Sequence, residues 1–341
     1  MEADAAVSYG KQHGCNQYVP FAREMLRDAA AETAFETSLK EAIHGADITN
    51  FYQPIFCTRS HQIVGFEALA RWTRAGAVIA TPDRFIPVAE DTWMIVDMGR
   101  RLLSQACDDA ALLAKEAGRP IWVSVNLSAK QLLDTTLVQY FHDEVSRSGL
   151  AMGSLKVEVT ESVLLGDFNR AQQVLQDLRT MGVQIALDDF GTGYSSLSYL
   201  AALPFDLLKV DRSFVTALEP GTQRFDITKA IMQLATTLGK AVVAEGIETA
   251  TEEHYLVSMG CTLLQGYRIF RPVPLIKAIE LITAESEKRS PTLSDNEQAI
   301  HSIYALQKLR FSFRVALSSV MESKSLLCLL SQMVVFENQA C

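Results

Sequence analysis

The chain has 341 residues, 48% of them hydrophobic, and a formal net charge of −9. That length and apolar content suit either two domains or one α/β barrel of about 250 residues with added segments, and the barrel fits better. The acidic balance and the lack of any basic block exclude a nucleic-acid polymer as partner, while allowing a small anionic ligand held through cations. Cys15, Cys57, Cys107, Cys261, Cys328 and Cys341 are scattered without C-x-x-C spacing. They suggest neither a zinc site nor a disulfide framework, and a reducing cytoplasm fits best. Met1-Glu2-Ala3-Asp4 has neither the basic nor the apolar region of a signal peptide, and no charge-free apolar run reaches the roughly 18 residues that span a bilayer.

Residues 1–20 are too short for a domain and start as though in mid-helix. In 21–46 the apolar positions Met25, Leu26, Ala29, Ala30, Ala34, Phe35, Leu39, Ala42 and Ile43 recur at helical spacing, and Gly45 sits where a helix stops. This predicts a linking helix. From residue 50 the rhythm changes to short apolar runs: Phe51–Phe56, Ile63–Leu69, Ile121–Leu127, Leu155–Thr160, Val183–Asp188, Leu207–Asp211, Ala241–Gly246 and Cys261–Tyr267. Between them lie amphipathic stretches at 100–117, 139–148, 170–181, 228–238 and 252–259. Strands alternating with helices predict an α/β fold, a TIM-like (β/α)8 barrel over 47–285, with a doubly wound open sheet as the alternative. Cys57 to Gln62 is too short for a helical crossover, so the first two strands should be antiparallel and the barrel a modified one. A helix from Pro274 through Ile282 should close it. The segment 286–341 then reads as a linker and a helical tail. There Leu306, Leu309, Phe313, Ala316, Val320, Leu327, Leu330 and Val334 make a heptad-like seam that would pack on the barrel, on a second copy or on a partner helix.

In such barrels the chemistry sits at the C-terminal ends of the strands. Here those ends carry Glu67, Asn126, Glu158, the adjacent Asp188 and Asp189, Lys209 with Asp211, Glu245 with Glu248, and Gln265. Two adjacent aspartates at the mouth of an apolar strand need cations or protons to offset their charge. Oxygen donors without His or Cys select a hard divalent ion, Mg²⁺ or Mn²⁺, and so many carboxylates imply two ions. Two such ions sharing an aspartate suit phosphodiester hydrolysis. Lys209 fits as a cation near the attacking water; the alternative is a buried ion pair with Asp211. Gly191-Thr192-Gly193-Tyr194-Ser195-Ser196 supplies a glycine-rich loop able to close over the site or to signal from a dimer face.

These residues, in this order, resemble the EAL family of cyclic di-GMP phosphodiesterases. The match runs from about Tyr52 to Pro274 through Tyr52-Gln53-Pro54, Glu67-Ala68-Leu69, Arg71-Trp72, Phe85-Ile86-Pro87, Asn126-Leu127-Ser128, Glu158-Val159-Thr160-Glu161, Asp188-Asp189-Phe190-Gly191, Lys209-Val210-Asp211, Glu245-Gly246-Ile247-Glu248 and Gln265-Gly266-Tyr267. The resemblance implies that Glu67, Asn126, Glu158 and Asp188 hold one metal. Asp188 and Asp189 would serve the second, with Glu245 and Gln265 completing the site. It makes Lys209, Glu245 and Glu67 catalytic, gives Gln53 and Arg71 to the substrate, and has Glu161 hold the loop of Gly191, Thr192 and Gly193, linking metal binding to a homodimer. The implied reaction turns cyclic di-GMP into linear pGpG in the bacterial cytoplasm. Residues 1–20, with Ala3-Asp4-x-Ala6, Lys11, Gly14, Asn16 and Tyr18-Val19, resemble the end of a GGDEF domain, which implies an upstream GGDEF or sensor domain in a longer protein. Departures are Ala70, where a leucine is frequent, and Arg268 to Arg271, where Ser-Arg-Pro is usual. A catalytically silent receptor for the nucleotide or a protein partner is the competing function. An enolase-like barrel would share the Mg²⁺ ligands but leaves the Asp188-Asp189 pair unexplained.

Overall fold

The computed structural model describes residues 22–45, 47–151, 153–161, 167–192, 200 and 202–289. The GGDEF-like stretch, Gly193 and the heptad-like tail lie outside these residues. The chain divides into two compact units, Met1–Glu285 and Ser286–Cys341.

In chain order the described elements are α1 (Arg23–Gly45), β1 (Ile48–Cys57), β2 (Gln62–Arg74), β3 (Ala77–Ala80), α2 (Pro82–Asp91), α3 (Met94–Ala117), β4 (Trp122–Asn126), α4 (Ala129–Leu132) and α5 (Leu137–Ser148). There follow β5 (Leu155–Thr160), α6 (Phe168–Thr180), β6 (Gln184–Phe190), β7 (Leu207–Val210), α7 (Arg212–Val215) and α8 (Gln223–Thr237). The last are β8 (Ala241–Ala244), α9 (Ala250–Ser258), β9 (Leu263–Leu264) and α10 (Leu275–Arg289).

The sheet runs β1-β9-β8-β7-β6-β5-β4-β2-β3, and the additional β1–β2 pairing closes eight of these strands into a barrel with β3 outside the ring. From β4 to β9 all neighbours are parallel, whereas β1 runs antiparallel to both β2 and β9. The modified (β/α)8 barrel and its antiparallel opening pair are therefore as the short Cys57–Gln62 connection requires. Two expectations are corrected, and one region is new. The polar stretch from Glu285, expected as linker, continues α10 to Arg289. The last strand is only Leu263–Leu264, so Gln265 lies just beyond it. The β2–β3 hairpin and α2 were not anticipated.

Side chains alternate along a strand, so residues two apart share a face. Ile55, Ala186, Leu207 and Val243 lie two residues from Gln53, Asp188, Lys209 and Glu245, and they form one buried apolar cluster with Trp122, Val64 and Leu263 against it. That layer is the floor of the site, inside the barrel. A much larger cluster fills the space between strands and helices. A third gathers Leu39, Ala42 and Ile43 of α1 with Ile48, Trp72, Phe85 and Met98, and thereby fixes the ends of β1 and β2 that carry the mouth of the barrel.

Candidate active site

The strand ends bring the predicted charges together around Lys209. Its side chain is 1% exposed, a burial that an ammonium tolerates only among anions. Its Nζ donates to Glu158 and lies 3.3 Å from Glu67, 3.2 Å from Asp188 and 2.6 Å from Glu245. Asp211 is not a partner. It caps α7 by accepting from Ser213 N at 2.9 Å, so the ion pair considered from sequence is replaced by four others. Glu248 is likewise outside the cluster, 2.8 Å from the Arg212 guanidinium.

Each supporting residue has a structural cause. Glu67 faces Gln53 across the β1–β2 ladder, and Asn126 faces Glu158 across β4–β5. Asn126 Nδ2 donates to Glu67 Oε1 at 3.0 Å, while Gln265 Nε2 donates to Glu67 Oε2 at 2.6 Å and to Gln53 Oε1 at 3.2 Å. Gln53 in turn donates to the Phe270 carbonyl at 3.2 Å. Gly266 makes this possible, because a Cβ there would stand 2.2 Å from the Ile247 backbone nitrogen and oxygen. Any side chain would push Gln265 off the floor.

A regular strand would send Asp188 and Asp189 to opposite faces. Instead Asp189 takes φ 53°, in the left-handed region, its N–H turns back to Asp188 Oδ1 at 2.9 Å, and the β6–β7 register shifts between Leu187 and Phe190. Both carboxylates thus stay near the cluster. Just beyond, Gly191 N donates to Glu161 Oε1 at 3.0 Å, and Thr192 Oγ1 donates to the Asp189 carbonyl at 2.9 Å. The buried Glu161 thus tethers the start of the loop.

Four carboxylates share one ammonium, and the protonation of the three glutamates reflects it. Burial, then the Glu67 charge, pushes Glu158 well above the ordinary carboxylate range. Burial likewise pushes Glu245 up to about 8 against the pull of Lys209. At Glu67 burial acts in the same direction, but Lys209 with the Gln265 and Asn126 hydrogen bonds overcomes it and leaves the group below its ordinary value. Burial, then Asp188, raises Asp189 to about 6. Lys209 is held well above its usual value, because Asp188, Glu158, Glu245 and Glu67 outweigh its own burial.

The donor set fits a hard divalent cation. Glu67, Glu158 and Asp188 each offer an oxygen within 4.8 Å of the others, all donors are oxygens, and the buried Gln265 Oε1 has no hydrogen-bond partner. Such an oxygen, beside surplus negative charge, is matched by a cation.

Arg71 donates to the Ala70 carbonyl at 2.8 Å and is half-buried. It also lines a cavity of about 420 Å³ that opens beside Asn126 and Ser128 between β2, β4 and the helices α2, α3 and α5. Two groups here carry no role from sequence: Tyr267, which enters only as part of a motif, and Lys156. Tyr267 lies 47% exposed with the Arg271 guanidinium 4.0 Å over its ring. Lys156, two residues before Glu158, is buried with its ammonium 4.6 Å over the Trp122 ring; burial lowers it to about 8. An aromatic and an arginine four residues apart in a loop give no periodic signal, and a strand lysine reads as solvent-facing by default.

A closed (β/α)8 barrel whose strand ends converge on an acidic, oxygen-only cation site defines the class. Residues 36–272, more than half of the chain, match the EAL domain, and the chain belongs to that family. It is 37% identical over 275 residues to the bifunctional diguanylate cyclase/cyclic di-GMP phosphodiesterase MucR of Pseudomonas aeruginosa, covering 80% of this chain and 40% of that protein. It is 36% identical over 297 residues to the cyclic di-GMP phosphodiesterase NbdA of the same organism, covering 87% of this chain and 38% of that protein. The chain thus spans about two fifths of the length of these relatives. Among solved structures, the PaMucR phosphodiesterase in complex with c-di-GMP superposes with a TM-score of 0.67 at 37% identity, over 71% of this chain and 98% of that one. The EAL enzyme Bd1971 bound to cAMP and cyclic di-GMP gives 0.71 at 30% identity, over 75% and 70%. Among the described residues, no helix is long and apolar enough to cross a membrane.

Proposed function

We propose that this chain hydrolyses one phosphodiester bond of cyclic di-GMP to give linear pGpG, with two divalent cations, Mg²⁺ or Mn²⁺. The observation that carries this reading is the buried group of Glu67, Glu158 and Asp188 around Lys209, in a chain whose relatives include named cyclic di-GMP phosphodiesterases. Glu67, Asn126, Glu158 and Asp188 would hold one ion, Asp188 and Asp189 the second, with Glu245 and Gln265 completing the shell. The bound ions supply a water acidic enough to attack at neutral pH and neutralise charge on the phosphoryl oxygens. The chain's own residues do the rest. Lys209 places a fixed ammonium among the carboxylates, where it orients the attacking water and favours developing negative charge. Arg71, its guanidinium at the mouth, presents donors matched to a phosphate, and Gln53 offers its amide at the floor. Glu161 fixes the loop after Asp189 and so ties the second ion's ligand to the surface that a homodimer would use.

The test is direct: purified protein with Mn²⁺ is expected to convert cyclic di-GMP to pGpG, followed by chromatography, and Glu67→Ala is expected to abolish turnover. Tight nucleotide binding without turnover in the unsubstituted protein would instead establish the silent-receptor reading. The two aspartates should separate as well. Asp188→Asn is expected to lose both ions and Asp189→Asn chiefly one, read as metal stoichiometry by calorimetry; equal retention in both variants contradicts the assignment.

The domain organisation is proposed with it: 21–46 as linking helix, 47–285 as catalytic barrel, 286–341 as an appended tail, and 1–20 as the end of an upstream GGDEF domain. The protein would act in the bacterial cytoplasm, where the nucleotide is found.

A further inference from the structure

Asp189 takes an uncommon conformation that must be held in place. Its φ of 53° lies in the left-handed region, where a residue with a side chain persists only when its surroundings over-determine it. The bonds around it are polar. Its N–H donates to Asp188 Oδ1 at 2.9 Å, Thr192 N and Oγ1 donate to its carbonyl at 3.2 and 2.9 Å, and Gly191 N donates to Glu161 Oε1 at 3.0 Å. Gly191 and Thr192 are exposed, so water competes for the donors of this stretch.

A ring adds a constraint that water cannot replace. β6 lies between β5 and β7 in the barrel. Glu161, just past β5, holds Gly191 from the exit of one neighbour, and Phe214 of α7, just past β7, meets it from the exit of the other. A Cβ on Gly191 would stand 2.7 Å from Phe214 Cε2 and 2.9 Å from Cζ. The ring edge therefore lies flush on the Gly191 backbone, and glycine, here at φ 99°, leaves room for it. Phe214 is itself fixed. Its N–H donates to the Asp211 carbonyl at 3.0 Å, the Asp211 carboxylate caps the same turn through Ser213 N at 2.9 Å, and the buried Thr228 of α8 donates its hydroxyl to the Phe214 carbonyl at 2.9 Å. The ring also packs on the main core. One strand exit thus delivers the Lys209 ammonium into the barrel and, a turn later, this ring onto the neighbouring loop.

We infer that Phe214 is a positioning residue for the second cation: its ring presses on Gly191 and so holds Asp189 in the kink that keeps its carboxylate beside Asp188. This rests on the assignment of Asp189 to the second ion in the reading above. The ring acts through the backbone and not on the nucleotide.

The test is calorimetric titration of the whole chain with Mn²⁺, comparing the unsubstituted protein, F214A, F214L and L113A. Thermal melting, amide exchange over 189–192 in EDTA and turnover of cyclic di-GMP are read on the same samples. L113A removes a fully buried side chain of α3, which packs against β1 and β4, and reports what loss of stability alone does. Changing a group that supports a metal ligand typically costs roughly tenfold to a hundredfold in metal affinity. F214A is therefore expected to bind the first ion within about threefold of the unsubstituted protein and the second about tenfold or more weaker. Exchange over 189–192 is expected to be about tenfold or more faster before any metal is added. F214L keeps part of the wall and should fall between, and it carries the same comparison should F214A fail to fold. L113A is expected to lower Tm and to leave the ratio of the two affinities unchanged. If the unsubstituted protein binds two ions and turns over, and the second-ion Kd of F214A stays within about twofold, the inference fails and the function stands. Equal weakening of both ions, in F214A as in L113A, also overturns it, because the ring then acts through stability alone. If the unsubstituted protein takes up fewer than two ions, the two-ion reading falls and the inference with it.

Discussion

Replacing Lys209 with methionine is expected to lower kcat for cyclic di-GMP by about 10³-fold, while KM changes by only a few-fold. The size follows from what the ammonium touches. It contacts all four carboxylates of the cluster and no other described charge, so in the proposed reaction it would act on the reacting centre rather than on the nucleotide's outer parts. Removing one preorganised electrostatic or proton-positioning group from a dry site typically costs 10² to 10⁴ in rate. Methionine keeps the length and apolar stem of lysine, which separates loss of charge from loss of packing. The same substitution leaves four buried carboxylates without their counter-ion. Breaking a buried ion pair by removing one partner costs on the order of 3–5 kcal/mol, so the metal-free variant should melt well below the unsubstituted protein, and Mn²⁺ should raise its Tm by more. A K209M protein with kcat within tenfold of the unsubstituted one, or with no extra thermal response to Mn²⁺, would show that Lys209 is neither catalytic nor the counter-ion.

How far the sequence led depends on the range of the interaction concerned. Alternating short apolar runs and amphipathic stretches gave the barrel, since both periodicities are local, and the Cys57–Gln62 connection alone implied the antiparallel pair that the β1–β2 register shows. The polar residues at strand ends were legible for the same reason. What they do to one another was not. That Lys209 pairs with Glu67, Glu158, Asp188 and Glu245 rather than with Asp211, which lies just past the end of β7 and turns away to cap α7, follows from barrel closure, and closure is a long-range fact. Asp211 and Glu248 were placed with the site because they share its composition, yet both serve adjacent surface structure, one as a helix cap and the other as an ion-pair partner. The α2 helix begins with Pro82 and contains Pro87, residues that usually punctuate rather than propagate a helix. The β3 strand is exposed at Ala77, Val78 and Ile79 and so lacks the alternation that marks a half-buried strand.

The metal-free protein is expected to lose stability as pH rises from about 5 to 8, against the usual behaviour of a protein rich in carboxylates. The argument begins with the buried acids whose affinity for protons is greater in the folded chain than in the unfolded one. Glu245 moves from an ordinary 4.5 to about 8, Asp189 to about 6, and Glu158 well upward. Between the unfolded and folded values the folded state binds more protons, so stability falls with rising pH. It is highest below about 4.5 on this account and lost as Glu245 and its neighbours ionise. Two groups leave that window unaffected. Glu67 is shifted the other way and contributes stability above its unfolded value that fades only in acid, and Lys209, raised further from an already high value, stays charged throughout. A difference of one pKa unit is worth about 1.4 kcal/mol. Because Glu67, Glu158 and Glu245 share Lys209 and titrate as one system, a net loss of about 2 kcal/mol is expected, which is several degrees in Tm for a unit of this size. Divalent cations compete with the same protons. With saturating Mn²⁺ the slope should therefore reverse, and Mn²⁺ affinity should rise through pH 6 to 8 with proton release, measured by calorimetry in buffers of different ionisation enthalpy. The Glu245→Gln variant in EDTA should flatten the metal-free decline. A Tm in EDTA that stays level or climbs over this range would mean that the cluster is already ionised without metal, and that Lys209 alone suffices to hold four negative charges out of water.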